Sequence, residues 1–206
     1  MLQTSAIEPG TLAALKKLMK IPSLKDFSLV GGTALALING HRLSIDIDLF
    51  SPKIPFNGEN VIRELKNAGK LIIKDSLDYA LFLEFEGVKL DILKYQYAWL
   101  KPPSSQEGIR IATVDDIMAM KLSAVTKRGL KKDFYDIYFL LEEYPIDVML
   151  ANFKKKYSTE ETYMVLKSMV YFEDAEDNEN PVLLKEKKLT WEKVKKTIRK
   201  AVKETA

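Results

Sequence analysis

Two aspartates stand two residues apart in "LSIDIDLFS", at Asp46 and Asp48. Ile45, Ile47 and Leu49 alternate with Ser44, Asp46, Asp48 and Phe50, which is strand periodicity. Alternation aims both carboxylates to one side, with their Cα atoms roughly 6.5–7 Å apart. A third carboxylate, Asp91, lies mid-strand in "VKLDILKY" and joins the pair if the two strands are neighbours. Packed carboxylates repel one another and favour protonation, a penalty that a divalent cation removes. Mg²⁺ takes hard oxygen ligands and keeps positions open for water and phosphate. Two such ions roughly 3.5–4 Å apart can activate an attacking hydroxyl and stabilise a leaving pyrophosphate. A lone D-x-D also fits the polar face of an ordinary strand.

A glycine turn precedes the aspartates. In "FSLVGGTALALINGHR", Gly31 and Gly32 end a strand and Thr33 opens a helix. Glycine lets backbone approach a ligand closely, and a helix start offers unpaired N–H groups and a positive dipole end to phosphate. Thr33 adds a hydroxyl. The spacing matches neither a P-loop nor a G-x-G-x-x-G fingerprint, and G-G-T alone is also a common strand–helix turn.

The surrounding pattern supplies the scaffold. "PGTLAALKKLMK" (Pro9–Lys20) reads as a first helix. Gly40 stops the helix after the glycine turn. "PFNGENVIRELKNAG" reads as a helix capped near Asn57 or Gly58 and ended by Gly69. "KLIIKDSLDYALFLEFEGVKLDILKYQY" reads as several strands, with Gly87 turning a hairpin. "KPPSSQEG" (Lys101–Gly108) reads as a proline-rich break. Thr113 with Asp116 then gives a capping-box variant, and the remainder reads as helical and charged. We place a boundary near residue 110, giving a sheet-and-helix domain over 1–110 and a helical domain over 111–206.

Composition narrows the classes. The 206 residues are 47% hydrophobic and 30% charged, and cysteine is absent. That is a globular chain without disulfides, thiolate zinc sites or a cysteine nucleophile. The first twenty residues lack a signal-peptide pattern, and no window suits a membrane helix, so the expected location is cytoplasmic. A net charge of +3 is too small to argue for nucleic acid by itself.

Glycine turn, short helix, D-x-D and distal strand aspartate together resemble the polymerase-β-like nucleotidyltransferases. "GGTALALINGHRLSIDIDLF", "KLSAVTKRGLKKDFYDIYFLL" (Lys121–Leu141) and "YFEDAE" (Tyr171–Glu176) are similar to the AbiEii/AbiGii-type toxin nucleotidyltransferases, and the likeness covers about residues 25–180. It implies an α+β fold, a mixed sheet flanked by helices, followed by a helical domain across a cleft. It implies Mg²⁺, with Mn²⁺ as the alternative ion, held by Asp46, Asp48 and Asp91, and an NTP as substrate. Gly31, Gly32, Thr33, Arg42, Lys121 and Arg128 would bind the nucleotide. Asp91 would activate the acceptor hydroxyl, and Asp136 would orient Lys121. Because the two lie fifteen residues apart, the chain must break near Arg128–Gly129 for them to meet. The acceptor would be RNA, such as a tRNA 3′ end, or a protein hydroxyl, and a cognate antitoxin would be a partner. Transfer to a small molecule such as an antibiotic, and a non-catalytic nucleotide- or partner-binding module, are the competing readings.

Other residues admit two readings. Lys127, Arg128, Lys131 and Lys132 form either a solvated helix face or an electropositive wall. His41, the sole histidine, reads as structural. Tyr95, Tyr97 and Trp99 read as sheet-face packing or as a base-stacking stripe. The acidic run "YFEDAEDNENP" lacks the EF-hand positions and reads as a loop gripping the basic "KRGLKK" segment.

Overall fold

A computed structural model describes residues 1–52 and 56–205. Pro55, where the third expected helix segment opens, lies outside the described residues. The chain divides into two compact units, Met1–Thr113 and Val114–Ala206.

The first unit is a seven-stranded sheet with helices. In chain order it runs α1 (Pro9–Leu18), β1 (Ser28–Val30), α2 (Gly31–Asn39), β2 (Ile47–Ser51), α3 (Gly58–Ala68), β3 (Leu71–Leu77), β4 (Ala80–Phe85), β5 (Val88–Lys94), β6 (Ser104–Gln106) and β7 (Ile109–Ile111). The strand order is β3-β4-β5-β2-β1-β7-β6. β1 pairs antiparallel with β2, while β2 runs parallel to β5. Ile47, Leu49, Leu81, Leu83, Phe85, Leu90 and Ile92 are buried, whereas Asp48, Phe50, Phe82, Glu84 and Asp91, one position out of phase, are partly open. One sheet face is therefore core and the other carries the polar side chains, as period-two alternation requires.

Local signals set the helix ends. Gly40 takes the left-handed conformation (φ 64°) and its N–H returns to the Ala36 carbonyl, closing α2. The Asn57 side chain accepts from the Asn60 N–H at 2.9 Å and caps α3. Glu86 and Gly87 (φ 54° and 80°) make the tight β4–β5 turn.

Two local expectations fail. β2 begins at Ile47, so Asp46 stands just before it, and Ile45 is 55% exposed rather than inward-facing. Ser44 makes only an isolated bridge to Ile7, and the alternation changes phase there. The proline-rich segment is not a simple break. Ser104–Gln106 and Ile109–Ile111 form a hairpin, and β7 lies parallel to β1 through Leu29 and Ile111. Arg110 anchors it, donating to the carbonyls of Phe27, Met19 and Leu24 at 2.9–3.0 Å.

The second unit is helical: α4 (Val114–Lys127), α5 (Lys131–Leu141), α6 (Ile146–Tyr157), α7 (Tyr163–Met169), α8 (Glu173–Glu176) and α9 (Trp191–Lys203). Helix α9 has apolar residues at helical spacing and buries Val194 and Ile198. Trp191 lies 5.6–5.8 Å from Phe134, Tyr135 and Phe172, centroid to centroid, which seats α9 against α5 and α8. The acidic run does grip the basic segment. Lys131 Nζ donates to the carbonyls of Glu176 and Asn178 at 2.8 and 2.5 Å. Among the described residues no helix is long and apolar enough to cross a membrane.

Candidate active site

Strand register assembles the carboxylates. Asp48 and Asp91 are direct partners across the parallel β2–β5 pair, so their side chains share the open sheet face. Asp46 lies one pleat away on the same chain, before Ile47. Antiparallel pairing sets Val30 opposite Asp48, and the chain turns into α2 immediately after Val30. The turn thus meets the carboxylates because one strand carries each of them to the same end of the sheet.

Gly31 is required there twice over. It has φ +70°, a region costly for residues with a side chain. A Cβ at this position would also collide with Asp48 Oδ2. Gly32 faces Arg42. A Cβ there would run into the Arg42 guanidinium, with Ser44 Oγ 3.5 Å away. The space beside Gly32 holds Arg42 rather than open room for phosphate. Arg42 itself is 3% exposed, and its Nη1 donates to the Leu43 carbonyl at 2.9 Å. Buried this way, it braces the loop between α2 and β2.

Thr33 is tied to the same loop. It is 1% exposed, and its hydroxyl donates to the Asp46 carbonyl and lies 2.9 Å from Ser44 Oγ. The hydroxyl ties the helix start to the backbone of the first aspartate. The α2 N-terminus still presents amides that have no intrahelical partner. His41 is fully buried, in keeping with a structural role.

One residue of the cluster escaped the sequence reading. Lys89 Nζ lies 3.2 Å from Asp91 Oδ2. Partial burial works against the Lys89 charge, but Asp91, then Asp46 and Asp48, outweigh it and hold its pKa above the usual lysine value. Asp91 Oδ1 is buried and has no hydrogen-bond partner. Among the described residues no three acidic or histidine side chains converge closely enough to form a metal-holding group. The donor set nevertheless fits a hard divalent cation, since it is all carboxylate oxygen and one buried oxygen is orphaned. Lys74, Phe82, Leu83, Glu84, Lys89 and Asp91 line an open groove of about 500 Å³ on the same part of the sheet.

Tyr95 lies 5.3 Å from Phe50 and 5.4 Å from Tyr97, centroid to centroid. These rings pack on one another beside β2.

In the helical unit, α4 ends at Lys127 and α5 begins at Lys131, with Gly129 at φ +48° between them. The fold-back brings Lys121 to Asp136 (2.5 Å) and to Asp133 (2.9 Å). Asp133, absent from the sequence reading, also accepts from Arg128 Nε at 3.0 Å. Burial pushes the Asp133 pKa up, but Lys121 and then Arg128 prevail and hold it below the usual aspartate value. Lys121 is 3% exposed, whereas the Arg128 side chain is 53% exposed. The lysine expected to neutralise phosphate is thus enclosed by two carboxylates. Arg128 carries the accessible charge of the group. A second buried pair, Lys156 to Asp116 at 2.6 Å, joins α6 to α4. Asp116, read as part of a capping box, therefore also serves as an ion-pair partner.

Known proteins resemble this chain. The family model described as nucleotidyl transferase AbiEii toxin, type IV TA system, matches residues 13–84 and 86–204. An uncharacterized protein of Aquifex aeolicus (strain VF5) is 36% identical over 197 residues, covering 93% of each chain. Two crystal structures from Helicobacter pylori share the fold at 22% identity. A candidate nucleotidyltransferase has a TM-score of 0.52, covering 96% of this chain and 95% of that one. JHP933 has a TM-score of 0.53, covering 100% and 96%. The expected α+β class, a polymerase-β-like mixed sheet flanked by helices, is the fold observed. A glycine turn pressed on Asp48, with Asp91 in register beside it, sits inside a family match that spans nearly all of both units, and the chain belongs to the AbiEii nucleotidyl transferase toxin family.

Proposed function

We propose that this protein moves a nucleoside monophosphate from an NTP to a hydroxyl of RNA, such as a tRNA 3′ end, and that the sheet of the first unit carries the reaction. The observation behind this reading is the register of Asp48 with Asp91 and the packing of Gly31 on Asp48. Asp46, Asp48 and Asp91 would hold Mg²⁺ or Mn²⁺, which supplies charge neutralisation and a Lewis acid at the transferring phosphorus. Amides at the start of α2 would bind phosphate oxygens. The acceptor oxygen forms a bond to the α-phosphorus, the α–β phosphoanhydride bond breaks, and pyrophosphate leaves. The acceptor proton would pass to Asp91. Within the second unit, Asp133 and Lys121 fix the Arg128 guanidinium, which stays exposed. The family's type IV toxin–antitoxin description supports a toxin role with a cognate antitoxin as partner.

The test is incorporation of labelled NTP into cellular RNA by Asp46→Asn and Asp48→Asn. Each should lose about 10²-fold or more of the transfer rate, as loss of a preorganised charge-stabilising group does, while circular dichroism stays unchanged. Wild-type incorporation by either variant would reject the assignment, and label appearing in protein would move the acceptor.

A further inference from the structure

Lys89 stands among carboxylates without a place in the transfer reaction described above. Its ammonium lies 3.2 Å from Asp91 Oδ2. The β2–β5 register pairs Ile47 with Leu90 and Asp48 with Asp91. Asp46 and Asp48 also act on the Lys89 charge, after Asp91. The side chain is 61% exposed and Asp91 is 16% exposed, so the lysine reaches in from solvent over a carboxylate that stays in place. Opposite, β4 contributes Phe82 across from Asp91 and Glu84 across from Lys89. Glu84 is already paired with Lys74 at 3.6 Å. Lys89 therefore pairs with Asp91, one of the proposed metal-binding carboxylates.

We infer that Lys89 is a tethered counter-ion of the metal site, occupying the carboxylates in the metal-free protein and being displaced by the incoming divalent cation. The inference rests on the proposed role of Asp46, Asp48 and Asp91 as metal ligands. Asp48 and Asp91, in register on one sheet face, repel, and without a bound cation the protein must neutralise them in some other way. An ammonium on a flexible four-carbon stem does this and can leave, because it is a compact point charge with rotatable donors rather than a rigid fork. Displacement then opposes metal binding. Lys89 raises the metal concentration at which the site fills, and it stabilises the empty fold.

Mn²⁺ is the probe, titrated by calorimetry into wild-type protein, Lys89→Gln, Lys89→Arg and Asp48→Asn, all as the full chain. Lys89→Gln should bind Mn²⁺ about fivefold more tightly, the scale of a partly exposed ion pair. Lys89→Arg should return affinity to near the wild-type value. Without metal, Lys89→Gln should melt at a lower temperature than wild type, and saturating Mn²⁺ should close that gap. Equal affinity of wild type and Lys89→Gln, with Asp48→Asn weakened, would overturn the counter-ion role and leave the metal site intact. Failure of wild type itself to bind Mn²⁺ more tightly than Asp48→Asn would overturn the metal-ligand reading and this inference together.

Discussion

At the scale of single residues, the site depends on side chains that are missing as much as on those present. Gly31 has no Cβ, and the space this leaves is taken by the Asp48 carboxylate. Gly31→Ala should cost about 1–2 kcal/mol for the left-handed backbone alone. It should also push Asp48 out of line with Asp91. We expect urea unfolding to show the stability loss and calorimetry to show Mn²⁺ affinity reduced about tenfold, a ligand displacement worth roughly 1.4 kcal/mol. Unchanged Mn²⁺ affinity in the folded variant would separate the turn from the carboxylates. Asp48 and Asp91 were legible in the sequence because period-two alternation states their face directly, whereas Asp46 falls just before β2, where the alternation changes phase. The roles of Gly32 and Thr33 were not, since G-G-T looks the same whether it faces a phosphate or an internal guanidinium. Lys89 was hidden for a related reason: a charged strand residue acquires meaning only when the neighbouring strand's register is known.

At the scale of elements, the break between α4 and α5 was readable from Gly129, and with it the Lys121–Asp136 contact. What the spacing did not reveal was that Asp133 would share the lysine and recruit Arg128. The β6–β7 hairpin was invisible because its strands are three residues long and follow a Pro-Pro pair, a composition that reads as loop. Lys121→Met tests the buried group. Removing the ammonium strands two buried carboxylates, which typically costs about 3–5 kcal/mol. The pH dependence should change sign as well. In the wild type, Asp133 titrates below its unfolded value, so its contribution is present above the usual aspartate range near 3.8 and fades as pH falls through the folded pKa. In Lys121→Met, burial dominates and the folded pKa rises. Stability should then be greatest in acid and decline as pH increases through that raised value. Denaturant midpoints measured from acid to neutral pH check this, and parallel profiles for the two proteins would refute it.

At the scale of the whole molecule, each unit has its own core, and the carboxylates belong wholly to the first. That core is joined by pairings between distant stretches of chain. Asp48 meets Asp91, Leu29 meets Ile111, and Arg110 closes on carbonyls 83–91 residues earlier. Contacts of such sequence separation are slow to form, because loop closure must precede any gain from pairing. Local helices of the second unit should recover early after dilution from denaturant, while Mn²⁺ binding should return only with the slow phase. Stopped-flow circular dichroism followed beside Mn²⁺ binding would show this, and simultaneous recovery would contradict it. On that order of events the Leu29–Ile111 pairing would act as a timing element. The chain's chemistry would then stay silent during its own folding, and a toxin assembled in this order would give its cell an interval, after synthesis, before it acts.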